Sequence, residues 1–260
     1  MRYFRWIIAV LAVIVTLLRI VFFIAKSDID VGPTITCEKD YFEVKCDDDL
    51  NDLIKYVSAT DPQDGKITDI TIERMYFVND NKSKISFVAI DSDNNIARIS
   101  RKVIYTDYEG PKIHLLDPLV YSVTDNDKIE KIFSADDQFS GDISDRIKLI
   151  INSFSRRQAG VYPLTVKVSN FYGTTRSIDF NAYVFNSPFT IIELNENVVY
   201  LSKDQSNPDF LSFMKNPSEN ITVDEGDLDM GTEGSYEVLY YAGDKNSPTA
   251  FNRLVVVVGD

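Results

Sequence analysis

One histidine, His114, and two cysteines, Cys37 and Cys46, are all that the 260 residues offer in imidazole and thiol. That excludes a His-rich metal cluster, and with no Cys–His pair in one stretch a thiol nucleophile has no base. The chain contains no GxSxG, no P-loop and no HExxH, and acids clustered in turns do not by themselves make a glycosidase dyad, so a non-enzyme is expected. Basic charge is scarce as well. There are 27 Lys and Arg against 40 Asp and Glu, a formal net charge of −13, so the chain repels nucleic acid and DNA or RNA is excluded as a partner. The last residues read VVVVGD without an LPxTG-like sorting signal, so surface attachment, if there is any, is expected from the amino-terminal end.

What is present at that end is a run of twenty residues, Trp6 to Ala25, apolar except for Thr16 and Arg19. As a helix it measures about 30 Å, the thickness of a bilayer's hydrocarbon core. Arg2 and Arg5 precede it. No acid occurs before Lys26, so the whole acidic excess lies beyond residue 26. The positive-inside tendency then places residues 1–26 as a cytoplasmic tail and transmembrane anchor, with the rest of a single-pass cell-membrane protein outside. A cleaved signal peptide is the rival reading, but its apolar core is normally shorter, and this run exits as FFIAKSDID without an A-x-A site. Arg19 carries two readings: it snorkels to the outer headgroups, or it meets an acidic partner on another transmembrane helix.

Past a linker at 27–32, period-two alternation dominates. In ISFVAID, Ile85, Phe87 and Ala89 share a face and lead to Asp91. In GVYPLTVKVSN the sharing residues are Tyr162, Leu164, Val166 and Val168, leading to Asn170, and in GSYEVLYYAGD they are Tyr236, Val238, Tyr240 and Ala242, leading to Asp244. Each run is followed by a polar turn and a second β-rich run, which predicts three hairpins. Gly160 and Gly234 each stand two residues before the first inward tyrosine, where a turn without a Cβ is expected.

Residues 59–69, ATDPQDGKITD, return at 135–145 as ADDQFSGDISD. A repeat of roughly 75 residues is the size of a compact β-sandwich. The expected architecture is all-β: one transmembrane helix, then three tandem sandwiches at 33–107, 111–185 and 188–260, the third divergent because residues 203–233 lack the D-G-x-I-T-D element.

The pattern A-x-D-x-x-D-G-x-I-T-D followed by G-x-Y-x-V-x-Y-x-A-x-D resembles the bacterial immunoglobulin-like repeats of Gram-positive surface proteins, related to HYR-type and crystal-toxin-type Ig-like domains. The resemblance covers the first two units well and the third from Gly234 onward. It implies Ig-like sandwiches on an extracellular bacterial protein, used as spacer or binding module.

The repeated stretch reads as a corner between strands. Asp61, Asp64 and Asp137 cap turn amides, Gly65 and Gly141 permit the turn, and Ile67 and Ile143 plug the end of the core. The same oxygens, Asp61, Asp64, Asp137 and Asp142, are the candidate calcium ligands, with turn capping as the competing reading and no other cofactor expected. DSDNN at 91–95 starts like an EF-hand loop but has Ile96 in place of the glycine and Lys102 in place of the glutamate, so it reads as a hairpin turn. Cys37 and Cys46 are either a disulfide across a turn at EKD or two thiols on one edge strand. His114, in PKIHLL, reads as a structural strand histidine, and the aromatic residues read as core before they read as a sugar-stacking platform. The expected function is a cell-surface binding, adhesion or spacer protein whose partner is an unidentified protein or an envelope glycan. The alternative is an accessory structural subunit of an envelope assembly for secretion, pilus building or polysaccharide export, recruited through the membrane helix and Arg19.

Overall fold

The structure is a computed structural model that describes residues 2–26, 32–79, 81–124, 132–218 and 220–259; the linker expected at 27–32 lies outside them except for Gly32. Residues Arg2–Lys26 form one α-helix, α1. Its described side chains are those of Trp6 and of residues 10–21. That continuous run covers about 18 Å of helix axis, against about 30 Å of hydrocarbon, and contains Arg19. Among the described residues no helix is long and apolar enough to cross a membrane. This corrects the expected single-pass placement, with a cytoplasmic tail and the remainder outside. Arg19 as a contact within the bilayer loses its support with it.

The chain divides into two compact units, one of residues 1–43, 47–76 and 83–104, the other of 44–46, 77–82 and 105–260. The first sandwich has seven strands: β1 (Thr34–Cys37), β2 (Tyr41–Val44), β3 (Val57–Asp61), β4 (Gly65–Ile67), β5 (Ile70–Asn79), β6 (Lys82–Ile90) and β7 (Ile96–Tyr105). They order as β1-β3-β4 in one sheet and β2-β7-β6-β5 in the other. The alternation read in ISFVAID is realised in β6, where Ile85, Phe87 and Ala89 are fully buried. Ala89 packs with Ala59 of β3 and Ile67 of β4, so the two sheets share one core, and within its own sheet Phe87 meets Phe42 of β2 edge-on at 6.2 Å.

The second sandwich repeats the plan strand for strand in β8 (Lys112–Leu115), β9 (Val120–Ser122), β10 (Phe133–Asp137), β11 (Gly141–Asp142), β12 (Lys148–Ile151), β13 (Gly160–Ser169) and β14 (Thr175–Phe185). Its sheets are β11-β10-β8 and β12-β13-β14-β9, with β9 parallel to β14. Ile113, Ala135 and Ile143 face Leu164, Val166, Val168, Ile178 and Phe180 across the core. Gly65 and Gly141 both take positive φ, 75° and 67°, as the corner demands of a residue without a Cβ. Gly160 and Gly234 do not, which corrects the turn reading there. Each instead lies under a tyrosine ring, with Tyr162 donating to Gln158 O at 2.8 Å and Tyr236 to Thr232 O at 2.9 Å.

The remaining strands are β15 (Thr190–Ile191), β16 (Val198–Ser202), β17 (Thr222–Asp224), β18 (Gly234–Asp244) and β19 (Ser247–Gly259). Among the described residues they make one sheet, β15-β19-β18-β17, with β16 parallel to β19 beyond β15. Among the described residues no second sheet faces it, where the sequence predicts a third sandwich. One face, carrying Val238, Tyr240, Leu254, Val256 and Val258, is covered by Phe210, Met214 and Met230 from the segment that lacks the repeat motif. The other face joins the second sandwich: Val198, Val255 and Val257 sit in the same core as Ile113, Leu164 and Phe180. Residues 251–258 of β19 are therefore buried on both faces, and the continuous apolar run LVVVV follows from that burial.

Candidate binding groove

The third sheet seals an open side of the second sandwich by supplying hydrogen-bond partners to strand edges. Backbone N–H and C=O groups on an edge must be paired or wetted. On β8, the Tyr200 hydroxyl accepts from Ile113 N and donates to Ile113 O at 3.0 Å, while Asn197 Nδ2 donates to Leu115 O at 3.1 Å. On β14, Ser235 Oγ accepts from Asp179 N at 3.4 Å, Glu237 Oε1 accepts from Asn181 N at 3.1 Å, and Arg253 Nε donates to Asn181 O at 2.8 Å. Burial pushes the Tyr200 hydroxyl up to about 12.

At the centre of this seam stands Arg253, 1% exposed, its guanidinium 5.5 Å above the Phe180 ring and its Nε 3.3 Å from Glu237 Oε1. Glu237 Oε2 also accepts from Asn181 Nδ2 and Tyr183 OH, both at 2.8 Å. Burial lowers the hold of Arg253 on its proton, and Glu237 works against that. The Nη1 and Nη2 atoms of Arg253 have no hydrogen-bond partner, so the ion pair carries its positive end.

Grooves open along the seam, and two of them are of similar size. The first has a volume of about 590 Å³ and is lined by Tyr108, Glu109, Arg176, Asp179, Tyr200 and Glu233 among others; the second, of about 610 Å³, is lined by His114, Asp117, Glu193, Asn195, Glu196 and Lys215 among others. In the first groove the ring faces are taken: Arg176 lies 5.2 Å and Lys112 5.6 Å from the Tyr200 centroid, and Tyr108 stacks on Phe139 at 4.7 Å. Arg176 is itself held by the carbonyls of Pro111 and Glu109. The groove therefore presents carboxylates, a fixed guanidinium and Ser202 and Ser235, a hydrogen-bonding surface without an open aromatic platform.

The residues singled out in the sequence lie elsewhere. Asp61 Oδ1 accepts from Gln63 N and Asp64 N at 2.7 and 2.9 Å, and Asp137 Oδ1 from Phe139 N and Ser140 N at 3.1 and 2.9 Å, so both cap their corners. Asp64 takes Ser92 N and Oγ at 2.6 and 2.8 Å, and those two bonds, the backbone one first, hold its carboxyl below the usual range. Asp142 takes Ser144 Oγ and N at 2.6 and 2.9 Å, and these bonds, the hydroxyl one first, lower its carboxyl as well. Among the described residues no three acidic, histidine or cysteine side chains converge as a metal-holding group. DSDNN is a hairpin turn, with Asn94 at φ 69°. Both Cys37 and Cys46 are thiols. His114 Nε2 is hydrogen-bonded to Asp136 Oδ1 on the neighbouring strand. Sequence reasoning missed Tyr200, Glu237 and Arg253. The signal was there in FNRLVVVV, where alternation gives way to a continuous apolar run with an arginine at its head.

No family model matches the chain. It is 25% identical over 182 residues to an uncharacterized 81.3 kDa protein of Acholeplasma phage L2, covering 66% of this chain and 24% of that one. It is 23% identical over 221 residues to the pesticidal crystal protein Cry22Aa of Bacillus thuringiensis, covering 77% and 29%. The chain thus spans about a quarter of the length of these curated relatives. Among solved structures it is similar to a Clostridium perfringens ZmpB structure of CBM51-2 in complex with GlcNAc and INT domains, with 19% identity, TM-score 0.24, and 58% and 26% of the two chains covered. The protocadherin GammaB4 extracellular domain aligns with 11% identity and TM-score 0.25 over 89% and 50%.

Proposed function

We propose that this chain is a non-catalytic binding or adhesion module of Ig-like sandwiches, of the bacterial repeat type, that takes a hydroxyl-rich ligand such as a glycan in the first groove of its second unit. The observation that carries the reading is that groove: about 590 Å³, rimmed by Glu109, Asp179 and Glu233 with Arg176 fixed among them. Carboxylate and guanidinium groups held by a rigid frame are suited to bidentate hydrogen bonds with vicinal hydroxyls. The frame is rigid because Tyr200, Glu237 and Arg253 bind both strand edges beside it. Likeness to a stretch of a larger crystal toxin supports a module reading, in which the chain contributes attachment.

The test is affinity electrophoresis of the full chain through immobilised bacterial and host polysaccharides, wild type against Glu233→Gln and Asp179→Ala. Retention by at least one polysaccharide, weakened about tenfold or more in the variants, is expected, one lost bidentate contact being of the order of 1.4 kcal/mol. No retention, or retention equal in all three proteins, contradicts it.

A structural role in a larger assembly is favoured by a different observation. Strand β12 is the edge of its sheet, and Leu149, Ile150 and Ile151 are all exposed. An apolar edge of this kind accepts an added strand from a protein partner.

A further inference from the structure

The two sandwiches build one corner with different chemistry at its centre. In each, the aspartate that ends the inner strand caps the turn with Oδ1, as described for Asp61 and Asp137. In each, the residue that closes the hairpin between the long strands also caps with Oδ1: Asp91 accepts from Asn95 N at 2.7 Å, and Asn170 accepts from Thr174 N at 2.9 Å. With backbone and Oδ1 fixed alike, Oδ2 of the corner aspartate is directed at the same place in both.

In the second sandwich that place holds neutral donors. Asp137 Oδ2 accepts from Tyr108 OH at 2.7 Å and from Asn170 Nδ2 at 3.3 Å. In the first sandwich Asp91 stands in place of Asn170; it donates nothing, and its Oδ2 accepts from Asn95 Nδ2 at 2.9 Å. Asp61 Oδ2 is buried without a hydrogen-bond partner. Asp61 is 6% exposed and Asp91 9%. The Asp64–Ser92 bonds tie the two loops together at this end, so the pair does not separate by loop movement. A buried carboxylate oxygen with no donor is costly unless a cation neutralises it.

We propose that Asp61 and Asp91 bind a calcium ion at the end of the first sandwich, in the place that Tyr108 and Asn170 fill in the second. Calcium takes six to eight hard oxygens in adaptable geometry, so two carboxylates suffice when backbone carbonyls and water complete the set. Of the four aspartates first considered, the site keeps Asp61. Asp64 and Asp142 are exposed carboxylates bonded to serines, and Asp137 has its own donors.

The experiment is differential scanning calorimetry of the full chain with and without ~5 mM calcium chloride, a concentration about tenfold above the affinity of weak extracellular calcium modules. The expected result is a calcium-dependent rise of about 5–10 °C in one transition. Asp61→Asn and Asp91→Asn abolish the rise, and Asp137→Asn keeps it. Asp91→Asn also raises the calcium-free midpoint above wild type, because its amide supplies the donor that Asp61 Oδ2 lacks; this shows that the variant folds. No calcium response in wild type overturns the proposal. So does a response that survives both Asp61→Asn and Asp91→Asn, or an equal shift from magnesium chloride at the same concentration.

Discussion

Arg253 is buried with two of its nitrogens unpartnered, and Glu237 is its counter-charge. Glu237→Gln leaves that charge uncompensated in the interior, and a loss of about 3–5 kcal/mol in urea unfolding is expected. Adding Arg253→Met to it should recover most of the loss, since a buried ion pair exchanged for apolar volume is near neutral. If the double variant is no better than the single one, the pair is not what the seam depends on. At the surface, Asp64 and Asp142 are held below the ordinary carboxylate range by serine N–H and O–H donors. Their folded values lie below their unfolded ones, so the stabilisation is complete above about pH 4 and is lost as pH falls through the lowered folded values. Urea midpoints measured from pH 6 down to 2 should fall, and Asp64→Asn with Asp142→Asn should flatten that fall. An unchanged slope would remove the two carboxylates from the acid response.

At the scale of elements, the hairpins were legible in the sequence because half-buried strands write their burial as alternation: Ile85, Phe87 and Ala89 in β6, and Leu164, Val166 and Val168 in β13, are the residues that the period picks out. The corners were legible because a positive φ at Gly65 and Gly141 restricts the residue type. The docking of the third sheet was not. It depends on long-range pairing of side chains with backbone edges, Tyr200 with Ile113 and Glu237 with Asn181, and nothing local in the sequence encodes a partner so far away along the chain. For the same reason the candidate groove, assembled from β14 and the Tyr108–Glu109 loop of the second sandwich and from the third sheet, had no motif. Tyr200→Phe tests the docking of one element. Removing the hydroxyl leaves Ile113 N and O unpaired, at about 1–3 kcal/mol, and hydrogen exchange should quicken in β8 and β16 while β13 keeps its protection. Uniform protection throughout would mean that the tyrosine ring, and not its hydroxyl, holds β16.

For the whole molecule, the sheet built by β15–β19 has no facing sheet of its own among the described residues, and Val198, Val255 and Val257 complete the core of the sandwich beside it. Residues 105–259 are thus one folding unit, and the groove exists only while that unit is intact. The most direct measurement is circular dichroism with urea titration of residues 188–260 produced alone, beside residues 105–260. The longer piece should unfold in a single cooperative transition, and the shorter one should show no transition. A cooperative unfolding curve from the isolated 188–260 piece would contradict the account.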